Sequence, residues 1–311
     1  MPQNAFAKDF RARLDHQNLA ILAAQTLAWG GLIEALHAQV SVFWKFPLLV
    51  LFCLTMQGVF SMMHECFHRN GNASPRINHA MGMLASALFG SAYTLIRVNH
   101  EGHHQRNRSA SELAEFILPG EHPAFKIALY YFAVLGGIWL GSFVATLLLP
   151  FVPFRHVKGL ALRMTSMDGY NRSFAEFGRR DWGLLRVEAA LAIVWWWGCI
   201  LLFGWDWHVL LVVYAAFAFS YSSLQWVYHM RTPLDRVEGA YDLRLPTPLR
   251  WLFLSFNYNL AHHRCPRAPW QALHAAVDPR ETQPLWYRYA CVFLPPEPLP
   301  SDLSKLAKTY F

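Results

Sequence analysis

Four apolar runs, residues 18–36, 44–63, 187–203 and 207–225, dominate the chain, and each is about as long as a bilayer-crossing helix requires. Two of them lead into histidine. The run 44–63 is followed at once by His64 and His68, and the run 207–225 is followed by His229. The runs fall into two closely spaced pairs, so each pair is read as a helical hairpin, the second turning around Gly204, Trp205 and Asp206. Two further apolar stretches are harder to place. If 79–96 crossed the membrane, the histidines before and after it would end about 30 Å apart on opposite faces, so it is read as a buried, interfacial or re-entrant helix. The stretch 127–150, with Gly136-Gly137 at its middle, is flanked on both sides by Arg and Lys. The positive-inside tendency then favours a segment that dips in and returns, with a plain span as the alternative.

The resulting expectation is an all-α integral membrane protein, a single domain over 1–311. It has about four transmembrane helices, re-entrant or interfacial helices at 79–96 and 127–150, and a cytoplasmic helical cap. That topology puts both termini and every histidine group on one face. Composition agrees: 54% of residues are hydrophobic and only 15% are charged, against about 25% charged in an ordinary soluble domain. Thirteen tryptophans suit interfacial aromatic belts. The formal charge of +7 is explained by basic cytoplasmic flanks, so no nucleic-acid partner is implied. The first seventeen residues carry Lys8, Asp9, Arg11, Arg13 and Asp15, too polar for a signal-peptide core, and read as an amphipathic lead-in on the positive side. The stretch 151–182 reads as an amphipathic surface helix plus loop, and the tail 266–311 as cytoplasmic, with Pro295, Pro296, Pro298 and Pro300 marking an irregular end. None of the five cysteines forms a C-x-x-C pair, which excludes zinc-ribbon, rubredoxin-type and thioredoxin-type motifs.

Eight of fifteen histidines cluster: His64 and His68 in H-E-C-F-H, His100, His103 and His104 in H-E-G-H-H, the lone His229, and His262 and His263 in N-L-A-H-H. Polar side chains beside membrane spans need a strong compensating partner, and neutral imidazole is the commonest metal ligand. On a helix, positions four apart share a face. His64 with His68, and His100 with His104, can therefore each bite one metal or bridge two, with His103 as a third donor on nearly the same face. His262 and His263, being adjacent, point in different directions and can serve different metals. Eight imidazoles exceed what one four-coordinate zinc takes and suit two ions. Both H-E-C-F-H and H-E-G-H-H match the zinc metalloprotease pattern H-E-x-x-H, but an intramembrane zinc protease leaves most of the clustered histidines without a role. A membrane metal-binding or transport protein is the non-catalytic rival, and it predicts ligands strung along a transmembrane path.

The order H-x-x-x-H, H-x-x-H-H, x-x-x-H-H, closing on Tyr258 to Trp270 (Y-N-L-A-H-H-R-C-P-R-A-P-W), resembles the membrane fatty acid desaturase and hydroxylase superfamily over roughly residues 60 to 285. The resemblance implies a non-haem di-iron centre held by His64, His68, His100, His103, His104, His229, His262 and His263. It also implies O2 as co-substrate and electrons from a separate ferredoxin, rubredoxin or cytochrome b5-like donor. The expected activity is O2-dependent desaturation of a fatty acyl or other lipid-like substrate, with hydroxylation of a lipid or small hydrophobic molecule as the alternative. The sequence departs from the family pattern at Asn259, where the third box usually begins with histidine. Asparagine can coordinate through its amide oxygen or hold a bound water. Glu65 and Glu101, each following a box histidine, are candidates for orienting imidazoles, and Gln225, one turn before His229, for holding a metal-bound water.

Overall fold

The computed structural model describes residues 2–38, 41–156 and 176–301; the reading of 151–182 as surface helix and loop therefore falls largely outside the described residues. The described residues are mostly helical, and their strand pairing is limited to two two-residue parallel pairs, Phe116–Ile117 with Glu297–Pro298 and Leu243–Arg244 with Gln283–Pro284, and one isolated bridge between Asp242 and Tyr258. Helix α1 (Pro2–His37) continues the lead-in into the first apolar run without a break, and α2 (Val42–Phe67) follows, its start capped by the Ser41 hydroxyl. The second long hairpin is α7 (Arg179–Phe203) and α8 (Trp207–Val227), joined through Gly204 in the left-handed region and capped by Asp206. Far from the histidines these helices turn apolar side chains outward, Phe43 at 84% and Leu202 at 77% exposure. Large apolar side chains exposed in such numbers suit lipid rather than water. At the other end α2 is wholly buried from Thr55 to Phe67.

The stretch 79–96 forms two helices, α3 (Pro75–Phe89) and α4 (Tyr93–Arg106), bent by 100° at a short break. Gly90 makes the turn at φ 87°, a conformation that costs glycine little and other residues more. A chain break inside an apolar bundle leaves helix-end carbonyls and amides that no water can satisfy. Here side chains take them. Trp196 Nε1 donates to Ala87 O (2.9 Å), Tyr214 Oη to Leu88 O (2.7 Å) and Trp139 Nε1 to Phe89 O (2.9 Å). On the other side of the break, Thr146 Oγ1 accepts from Ala92 N and Glu188 from both Thr94 N and Thr94 Oγ1. The break is thus a built element. It lets α3 leave the first histidine box and α4 return carrying the second.

By length and apolarity five helices among the described residues can cross a membrane, one more than the four expected, and the α3–α4 pair is a broken sixth candidate or a re-entrant loop. The fifth is Pro123–Phe151. It comprises α5 (Pro123–Phe132), a π-turn at Ala133–Gly137, α6 (Ile138–Leu148) and a closing 3-10 turn. The Gly136-Gly137 break is this π-turn, with Gly136 at φ 137° seated against Ala218 of α8. Tyr130, near its start, donates to Val292 O and meets Met230, the neighbour of His229. Near its end, Pro150 O accepts from Arg186, two turns into α7. Both ends therefore meet residues close to the histidine end of the bundle.

Beyond α8, the short helices α9 (Thr247–Leu252) and α10 (Asn259–Arg264) lead to the last box. Two more, α11 (Trp270–Leu273) and α12 (Leu285–Cys291), close the cap over it.

Candidate metal centre

Several separate elements are locked together under the cap. Asn18 of α1 donates to Asn70 O and Gly71 O just after the first box, and Asn78 of α3 donates to Cys66 O within it. Glu65 accepts from Trp270 N (3.1 Å), tying the first box to the segment after the third, and its other oxygen lies 4.0 Å from His64 Nδ1. Ala261 N donates to the buried Asp242 carboxylate (3.0 Å), which seats the start of α10. The box histidines therefore sit on braced backbone.

Five imidazoles present Nε2 to one another. The separations are His68–His100 2.8 Å, His100–His104 3.0 Å, His104–His262 3.0 Å, His64–His262 3.2 Å and His68–His104 3.3 Å. A hydrogen bond needs one donor and one acceptor, and a neutral ring whose Nε2 donates cannot also accept there. Hydrogen bonding among the rings alone cannot serve this whole set. The spacing instead matches the edges of a coordination polyhedron: bonds of about 2.1 Å at right angles give edges of about 3 Å. A second group, His103, His229 and His263, also brings its ring nitrogens within 4.8 Å of one another. The groups touch, with the His104 and His263 rings 4.7 Å apart.

All eight box histidines thus fall into two adjoining clusters, five and three. His103 does not share the face of His100 and His104, contrary to the sequence expectation. Position i+4 lies about 40° from i on a helix and i+3 about 60° to the other side, enough here to send His103 to the second cluster. The adjacent His262 and His263 divide in the same way.

In the smaller cluster the orienting bonds are explicit. His229 Nδ1 donates to Gly239 O (2.9 Å), which leaves Nε2 free for the cluster. His103 Nδ1 meets the Glu112 carboxylate at 2.7 Å, and Glu112 in turn pairs with Arg106 at 3.3 Å. Burial pushes His68 down to about 4, and burial with neighbouring imidazoles holds His229, His262 and His263 well below the ordinary range. These rings are therefore kept neutral, the form that binds metal.

Asn259 is buried, one turn before His263 on α10, and its Oδ1 has no hydrogen-bond partner. Gln225, one turn before His229, has a buried Nε2 that is likewise unsatisfied. Unsatisfied buried polar atoms are rare. Among the buried polar atoms without a partner in the described residues, these two lie one turn in sequence from members of the three-histidine cluster, an arrangement that fits a place for a metal and a bound water. Glu101 does not join them: its carboxylate pairs with Arg97 at 2.8 Å and is half exposed, because it lies on the outer face of α4. Cys66 packs beside Gly71 and Asn78 and belongs to neither cluster. His79, an unclustered histidine in the sequence, meets the buried Glu188 at 3.2 Å. Sequence reasoning missed Glu112, Gly239 and Asp242. Each acts across a loop, and no periodic spacing marks such a residue.

A multi-pass helical membrane protein with buried and half-buried histidine clusters able to bind metal is the class these features define. The family model described as fatty acid desaturase matches residues 39–294. The chain belongs to that family, and is an oxidoreductase of the desaturase and hydroxylase type. No curated protein matches the chain.

Proposed function

We propose that the protein is an O2-dependent desaturase of a fatty acyl or other lipid-like substrate, working at a di-iron centre. The division of eight imidazoles into two adjoining clusters carries this reading. One zinc, as in a protease, would leave most of the rings without a purpose. A transport role predicts ligands spread along a transmembrane path, whereas these gather at one end of the bundle.

His64, His68, His100, His104 and His262 would hold one iron, and His103, His229 and His263 the other, with Asn259 and Gln225 beside the second. Two irons so held supply what zinc cannot: redox chemistry with O2 strong enough to remove hydrogen from an unactivated C–H bond. The side chains of this protein orient His103 and His229 through Glu112 and Gly239, and the burial of His64, His262 and His263 limits the access of bulk water. Forming one double bond with O2 consumes two electrons and two protons and yields two waters, so a separate ferredoxin, rubredoxin or cytochrome b5-like donor is part of the proposal. In this proposal the histidine clusters and the termini face the cytoplasm. Reporter fusions or cysteine labels at residues 70, 110, 165 and 290 should then all report that side. A differing report from 165 alone would make Pro123–Phe151 a full span.

Metal analysis of protein made with iron and zinc both present should find about two irons per chain. Mass spectrometry of lipids from a profiled host expressing the protein should show products two hydrogens lighter. Products heavier by one oxygen would make it a hydroxylase. A single stoichiometric zinc would end the di-iron reading.

A further inference from the structure

The three-histidine cluster is served by one stretch of chain, residues 107–115, which follows the second box. Its start and end fasten to the segment that follows His229. Arg108 and Glu115 form an ion pair at 2.7 Å with both side chains almost fully buried. The same guanidinium donates to Thr232 O (3.1 Å), and the same carboxylate oxygen accepts from Arg231 N (2.8 Å). Asn107, the residue that caps α4, donates to Arg236 O (3.0 Å) and to Gly239 O (3.1 Å). That Gly239 carbonyl is the acceptor for His229 Nδ1. Midway along the stretch, Glu112 takes His103 Nδ1. A Cβ on Gly239 would collide with Arg108 Cγ and with the Asp235 carbonyl, so the two segments meet without room for a side chain. The stretch also holds strained backbone, with Arg108 at φ 60° facing Arg231 at φ 57°. Left-handed conformations of non-glycine residues persist where their surroundings fix them.

We propose that Arg108 and Glu115 are positioning residues for the three-histidine cluster, clamping the 229–239 segment onto residues 107–115 so that His229 and His103 hold the second metal. The proposal rests on the two-metal reading above. Arg108 fits the task through its fork, which reaches a carboxylate and a carbonyl at once; lysine offers a single point. None of the hydrogen bonds just described involves the five-histidine cluster, so the clamp acts on one metal position and not on both.

The test is anaerobic loading of the full-length protein in detergent with ferrous 57Fe, reading iron per chain and the Mössbauer spectrum. Wild type should hold about two irons in two unequal environments. Arg108→Met leaves Glu115 buried without its partner and is at risk of misfolding. The neutral pair Arg108→Met/Glu115→Gln and the single change Gly239→Ala are therefore tested beside it. Folded variants, judged by helical circular dichroism, should hold about one iron in one environment. That remaining spectrum should match the spectrum of His263→Ala. Arg108→Lys should restore little of the second iron.

Two irons in the neutral-pair variant and in Gly239→Ala overturn the proposal while leaving the di-iron reading intact. Loss of both irons from a folded neutral-pair variant also overturns it, because the effect is then not confined to one position. A wild-type protein that never holds two irons ends the di-iron reading, and this proposal with it.

Discussion

The five-histidine and three-histidine clusters are built from the same boxes yet differ in how they are held. The larger one is set by helix spacing. Four of its members are two i, i+4 pairs on α2 and α4, and its rings meet one another directly. The smaller one takes a single ring from each of three elements, α4, the turn after α8, and α10, and two of those rings are oriented by oxygens from loops. One cluster has donors to spare, while the other has three imidazoles and, one turn away in sequence from two of them, two unsatisfied amides. Redundancy should make the first a tolerant metal position and the second a sensitive one.

The largest expected effect tests that contrast directly. His263→Ala leaves two imidazoles, too few for a stable site when three is the usual minimum. Iron should fall from about two to about one per chain and activity to background. His68→Ala leaves four imidazoles in the larger cluster, so most of the iron should remain even though turnover drops. Equal iron loss in the two variants, measured by metal analysis on folded protein, would break the comparison.

Next comes Glu112→Gln. The carboxylate fixes the tautomer of His103 and strengthens it as a donor. Loss of such a partner lowers metal affinity about 10–100-fold. Competition with a calibrated chelator should show that loss at one of the two irons only.

Asn259 should matter less. An amide oxygen is a weaker donor than imidazole, or it acts through a water. Asn259→Ala should lower turnover roughly 3–10-fold, below the range for losing an orienting carboxylate, while most iron stays bound. Asn259→His should hold the second iron more tightly than wild type, since it adds a fourth imidazole. If Asn259→Ala turns over and binds iron like wild type, its lone buried oxygen has another explanation.

Helix spacing made much of this legible. Apolar runs gave the spans, and the i, i+4 pairs gave His64, His68, His100 and His104, because a repeat of 3.6 residues maps sequence position onto a face. What lay beyond local periodicity was not legible. The assignment of His103 depends on which partner each side of α4 meets. Glu112, Asp242 and Gly239 reach the centre through loops whose path only tertiary packing decides. The packing of Pro123–Phe151 is likewise set by Tyr130, Trp139 and Pro150 meeting other elements, and its composition does not reveal that.

The smallest expected effect comes from the glutamate that the sequence favoured. Glu101 directly follows His100, and next to a ligand it is an obvious choice to orient an imidazole. Its carboxylate nevertheless points away, to Arg97 one turn back, and is half exposed, while Arg97 also holds Asp181. An exposed i, i+4 pair contributes about 0.3–0.5 kcal/mol, and Arg97 keeps its second partner when Glu101 is lost. Glu101→Gln should therefore leave iron content unchanged and turnover within about twofold, the size of an ordinary surface change. Set beside Glu112→Gln, it compares two carboxylates flanking one box, one adjacent in sequence and one nine residues from His103. A chelator titration of both variants decides between adjacency and geometry. If Glu101→Gln releases iron as readily as Glu112→Gln, then α4 presents a different face to the centre and the five-and-three division itself is wrong.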